Sequence, residues 1–141
     1  MILKRDYLTP EETLQIGEET IDLILDKAFF DYKVGDRFFF KDQPNEIYTV
    51  EGFGWNKEDL RHCLYNNGKP ALDEKIFPIF STGMLIELLA ELHAFSLNSF
   101  GHGWILLWNN EIAIESKEEE QLHVFLWRAL AEIVQSGKYV W

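Results

Sequence analysis

The stretch from Phe80 to Val134 constrains this chain most, because each of its element boundaries is signalled locally. Ser81-Thr82 is a helix start, and Leu85, Leu88, Leu89 and Leu92 then fall on one helical face, which Ile86 widens. That spacing predicts a largely buried helix. Phe95-Ser96-Leu97 opens a strand, and Gly101-His102-Gly103 is a tight turn. Trp104-Ile105-Leu106-Leu107-Trp108 is apolar at every position, which predicts a central strand covered on both faces. Asn109-Asn110 tolerate positive φ and can fold the chain back onto Ile112-Ala113-Ile114. Ser116 and Glu119 have the spacing of a capping box, so a last helix is expected to begin at Ser116. Its core face is Leu122, Phe125, Leu126, Ala129, Leu130 and Ile133, and Gly137 is its natural stop. The order is helix, three strands, helix.

The first part of the chain reads differently. Thr9-Pro10-Glu11-Glu12 signals a helix start, and Leu14, Ile21, Ile24, Leu25 and Ala28 make an apolar stripe as far as about Phe30, with Gly17 a weak spot. Strands are expected at Arg37–Phe40, Ile47–Val50 and Leu60–Tyr65. Lys41–Asn45 reads as a loop, and Asn66-Asn67-Gly68 as a turn before Lys69–Leu72. Gly52 and Gly54 around Phe53 mark a bend or bulge, and Pro78 suits Ile76–Phe80 to an edge or exit position. Short strands with frequent turns predict a small, strongly bent antiparallel sheet, SH3-barrel-like in character. The fold class is therefore α+β. Residues 1–80 form an N-terminal helix with a small sheet, and residues 81–141 an αβββα unit, with one continuous domain the alternative.

Composition narrows the function classes. Hydrophobic residues make up 47% of the 141-residue chain and aromatics 15%, enough to build a core. The formal net charge of -11 repels phosphate backbones and anionic lipid. The single Cys63 forms no internal disulfide, which fits a reducing cytoplasm. Met1 to Asp6 meets charge at once, so no secretory signal is expected, and Met84–Leu92 falls short of a membrane span. A soluble cytoplasmic protein is expected, with neither nucleic acid nor membrane as partner.

Residues able to carry chemistry were each weighed against a structural role. His62 and Cys63 are adjacent and point to opposite faces of a strand. Together with His93, His102 and His123 they show no metal-ligand spacing. Cys63 lies in no activating motif. Ser81 and Ser116 read as helix caps, and Glu11-Glu12, Glu18-Glu19 and Glu118 to Glu120 as solvated faces. Glu51, beside the Gly52–Gly54 bend, is the one carboxylate placed where a catalytic group would merit inspection. Gly52-x-Gly54 lacks the third glycine of a dinucleotide fingerprint. No catalytic residue, cofactor or metal is assigned. An enzymatic role is not expected, although the sequence leaves it open.

The aromatics are the remaining clue. Trp55, Phe100 and Trp141 lie in or next to turns or at the end of the chain, where exposed rings serve protein contacts. The alternative is that they seal the joint between the two halves. The expected function is a non-enzymatic acidic interaction or regulatory module that contacts another protein or a second copy of itself. Two other readings stay open: an acidic DNA mimic that inhibits a nucleic-acid-binding protein, and a small ligand-binding protein or enzyme.

Two resemblances accompany these residues. The order helix, three strands, helix resembles the double-stranded-RNA-binding domain, which places lysines at the start of its last helix. Ser116-Lys117-Glu118-Glu119-Glu120 has the opposite sign there, which disfavours RNA. The block Ile76-Phe77-Pro78-Ile79-Phe80-Ser81, the Leu-rich helix after it, the Trp-containing hairpin and Leu126-Trp127-Arg128-Ala129-Leu130 resemble small bacterial proteins carried by phages and mobile elements. That resemblance covers roughly the second half of the chain. It implies a bacterial or phage cytoplasm and transfers no activity.

Overall fold

The computed structural model describes residues 6–55, 57–58, 60–101, 103–108 and 112–136. The fold is α+β, with helices α1 (Pro10–Leu14), α2 (Glu18–Lys27), α3 (Thr82–Leu92) and α4 (Leu122–Gln135) and three small antiparallel sheets. The chain forms two compact units. One comprises residues 1–8, 12–30 and 80–141, the other residues 9–11 and 31–79. Helix α2 thus groups with the C-terminal elements, not with the sheet that follows it in sequence.

In the sheet unit, β1 (Arg37–Phe40) lies between β2 (Gln43–Thr49) and β6 (Ile76–Ile79), and β4 (Arg61–Tyr65) lies between β3 (Gly52–Trp55) and β5 (Lys69–Ala71). Val50 and Glu51 connect the two sheets. The Val50 N–H donates to Asp36 O beside β1, whereas the Glu51 N–H donates to Leu64 O in β4. The chain therefore changes sheets within two residues, so where the sequence predicts one strongly bent sheet the structure has two small antiparallel ones. This change precedes Gly52. A Cβ on Gly54 would stand 2.7 Å from His62 Nε2, so a larger residue there would have to displace the ring across the strand pair. β2 starts at Gln43, where the sequence predicts a loop. Pro44 is accommodated because β2 is an edge strand, and the register shift between Phe38 and Phe40 takes up the tight return. Pro78 likewise sits on the edge strand β6. Phe38, Phe39, Ile76, Phe77 and Ile79 are buried, and a 3₁₀ turn (Asp73–Lys75) leads into β6.

In the helical unit, α3 is followed by β7 (Phe95–Phe100), β8 (Gly103–Trp108) and β9 (Ile112–Glu115), then by α4. This is the αβββα order expected. β8 is central, paired from Phe95↔Trp108 to Phe100↔Gly103 on one side and through Trp108↔Ile112 on the other. The Asn109-Asn110 turn and His102 lie outside the described residues. Neither face of β8 is covered along its whole length: Leu106 and Trp108 are buried, while Trp104 on the same face and Ile105 and Leu107 on the other are half-buried. Ser81 caps α3, accepting the Met84 N–H at 3.2 Å. Leu85, Leu88 and Leu89 are buried, whereas Ile86, expected to widen the buried face, is exposed. α2 and α3 both pack on α4, whose Phe125, Leu126, Trp127, Ala129, Leu130 and Ile133 are buried.

Two helix boundaries differ from expectation. The N-terminal helix is interrupted at Gly17, whose φ of +90° only glycine adopts without strain. The last helix starts at Leu122, not Ser116. The Ser116 hydroxyl accepts the Trp104 N–H at 2.9 Å across the hairpin, and Glu119 has a left-handed φ of +61°, which ends any helix there. Glu120 instead receives the Lys117 N–H and the guanidinium of Arg128.

Candidate functional site

Cys63, Glu51 and Ser116 each have a partner within the fold. Cys63 is buried on β4. Its thiol is pushed up to about 12 by burial first and then by the negative field of Asp73, whose Oδ1 lies 3.9 Å away. Such a thiol stays protonated at neutral pH. Burial raises Asp73 above the usual carboxylate range, while Arg61 opposes the shift. Burial likewise raises the Tyr32 hydroxyl, helped by Cys63 and Asp73. Glu51 Oε1 accepts the Asn67 N–H at 2.9 Å and so clamps the turn between β4 and β5. Among the described residues no group of three or more His, Cys, Asp and Glu side chains is arranged to hold a metal. No helix among them is long and apolar enough to cross a membrane.

The aromatics divide into packed and exposed sets. Phe38, Phe40, Tyr48 and Tyr65 have ring centroids 4.8–5.8 Å apart. Rings that close fill their own space and leave no room for a guest between them.

Trp55 ends β3 opposite Arg61 and is 67% exposed, and Leu60 across the same hairpin tip is also exposed. Side chains on the same face of the strand pair as Trp55 brace the hairpin. The Arg61 guanidinium lies 4.2 Å over the Phe53 ring and forms an ion pair with Asp31. The indole is therefore presented from a fixed backbone. Phe100, at the end of β7, is 45% exposed, with part of its ring against Gly103. Trp141 lies outside the described residues. Trp55 and Phe100 belong to different units.

Phe29 is a functional candidate that sequence reasoning missed. It is 91% exposed. α2 ends in a Schellman motif, in which the Phe30 N–H donates to Leu25 O at 2.9 Å and the Phe29 N–H to Asp26 O at 3.2 Å. This motif requires a left-handed residue at its turning point, normally glycine, and Phe29 occupies it with φ +51°. Phe30 turns inward, its ring edge-on to Phe80 at 5.4 Å. Two consecutive phenylalanines at a helix end cannot both face the core. That pairing, with no glycine to end the helix, is the sequence signal that points to Phe29. A non-glycine residue in this conformation costs on the order of 1 kcal/mol, and a ring in water returns nothing to folding.

No family model, curated protein or solved structure matches this chain.

Proposed function

We propose that this protein is a non-enzymatic acidic module that binds another protein through exposed aromatic side chains. The observation that carries this reading is Trp55, a large ring 67% exposed at the tip of a hairpin fixed by Arg61, Phe53 and Asp31. Tryptophan on a rigid support is the commonest kind of binding anchor, because little side-chain entropy is lost when it is covered. The groups that could have served catalysis support the same reading, since Cys63, Glu51 and Ser116 are occupied within the fold. The net charge of -11 favours a partner with a basic face over a second copy. The setting that goes with this proposal is a bacterial or phage cytoplasm.

The test is affinity capture from bacterial lysate with wild-type protein and with Trp55→Ala, at low and moderate salt. A stoichiometric partner is expected with wild type and is retained at moderate salt. Trp55→Ala should reduce its recovery at least tenfold, while leaving folding stability within about 0.5 kcal/mol because the ring is already in water. Equal recovery by the variant would remove Trp55 from the interface. A nucleic-acid-binding partner released as salt rises would point instead to a mimic of DNA.

A further inference from the structure

The C-terminal ends of α2 and α3 border a cavity of about 610 Å³, lined by Asp26, Lys27, Ala28, Phe29, Glu91 and Leu92. Three features give it one chemical character. First, both helices end at the cavity, where the helix dipole places partial negative charge, although the Schellman bonds of α2 already satisfy the Leu25 and Asp26 carbonyls. α3 has no basic residue in its last turn to offset this. Second, Asp26 and Glu91 add two carboxylates against the single cation of Lys27. Third, the Phe29 ring stands beside the cavity almost wholly in solvent, on a backbone whose conformation favours glycine.

A concave, net negative site with an aromatic face matches a cation that is flat and rich in donors. Anionic ligands are repelled, and a purely apolar guest would strand the carboxylates without water. We propose that this cavity receives an arginine side chain of a basic polypeptide, with the guanidinium against Phe29 and its N–H groups toward the carboxylates of Asp26 and Glu91. Arginine fits better than lysine because its planar head stacks on a ring and donates a fork of hydrogen bonds to carboxylates, whereas an ammonium is a compact, strongly hydrated charge. A polypeptide fits better than a free small molecule because Phe29 projects beyond the cavity and needs a larger partner to cover it. A second copy of this chain, with a charge of -11, is the wrong sign. This assignment rests on the reading of the protein as an interaction module and names the chemistry of its partner.

The experiment is calorimetric and NMR titration with a short end-blocked peptide of alternating glycine and arginine, and with the same peptide carrying citrulline, the neutral isostere. The wild type should bind the arginine peptide saturably and more weakly as salt rises, with shifts centred on Asp26 to Phe29 and on Glu91. Phe29→Gly, which keeps the left-handed backbone, should bind at least tenfold more weakly, as should the Asp26→Asn/Glu91→Gln double variant. Phe29→Tyr should bind as wild type does, and the citrulline peptide should not bind. Equal binding by wild type and Phe29→Gly would overturn the proposal, as would the absence of saturable binding to wild type. If Trp55-dependent capture persists alongside that failure, only the arginine site falls. If capture is lost as well, the interaction reading falls with it.

Discussion

Trp127→Ala should destabilise the helical unit by about 4 kcal/mol, within the range for deleting a large buried aromatic. Trp127 is 2% exposed, its ring lies 5.5 Å from that of Phe80, and its indole N–H donates to Thr13 O at 3.1 Å across 114 residues of chain. The substitution removes the buried surface, opens a cavity and deletes the indole N–H that the buried Thr13 carbonyl accepts. Against a typical total stability of about 5–15 kcal/mol, this is a large fraction of the margin. Urea denaturation followed by far-UV circular dichroism measures the loss. Trp127→Phe separates the causes, since it keeps most of the volume but not the hydrogen bond, and should cost about 1–2 kcal/mol. A loss below 1 kcal/mol for the alanine variant would show that Trp127 is not the anchor described.

Arg128→Met should cost about 2–3 kcal/mol at neutral pH. The guanidinium of Arg128 donates twice to Glu120, at 2.8 and 2.9 Å, once to Glu115 O at 3.0 Å and once to Glu132 at 3.0 Å. It thereby ties the end of β9, the turn and α4 together. The Glu120 side chain is only 8% exposed, so removing its partner leaves a carboxylate that water reaches poorly. The Glu132 arm is an exposed i,i+4 pair and adds only about 0.3–0.5 kcal/mol. Lysine should rescue only part of the loss, because it cannot make the two-pronged contact.

The pH dependence has a definite sign. Burial alone would raise the Glu120 carboxyl, but the hydrogen bonds from Arg128 and the Lys117 N–H outweigh it and hold the group below the usual carboxylate range. Because the folded value lies below the unfolded value of about 4.3, the contribution is fully present above that pH and fades as pH falls through the folded value. The stability difference between wild type and Arg128→Met should therefore shrink as pH falls below about 4. A difference constant down to pH 2 would place the effect in packing of the arginine stem.

The elements legible in the sequence are those whose signals are local. Ser81 caps α3 because its hydroxyl needs only the Met84 N–H three residues on, and the αβββα order follows from periodicity and turn residues. Misreadings arise where a distant partner takes the same group. Ser116 and Glu119 have capping-box spacing, yet the Ser116 hydroxyl is claimed by Trp104 across a hairpin, and the neighbouring Glu120 by Arg128. Proline at position 44 reads as a loop until the sheet order shows that β2 is an edge. The site divides in the same way. Exposure of Trp55 and Phe100 is readable because both lie beside turns. Phe29 was hidden because periodicity cannot decide which of two adjacent phenylalanines leaves the core. That depends on where the Schellman motif turns the backbone.

Phe29 holds an exposed ring at a cost in stability. Equilibrium urea denaturation of Phe29→Gly against wild type tests that cost most directly. Glycine removes the strain of the left-handed backbone at φ +51° but has more freedom when unfolded, so the two effects oppose each other. For a fully solvated ring the strain relief of about 1 kcal/mol is offset in part by the glycine entropy, so the net is a gain of about 0.5 kcal/mol, seen as a higher urea midpoint with an unchanged slope. A lower midpoint would mean that Phe29 contributes to folding, and the argument that it is retained for contact would fail.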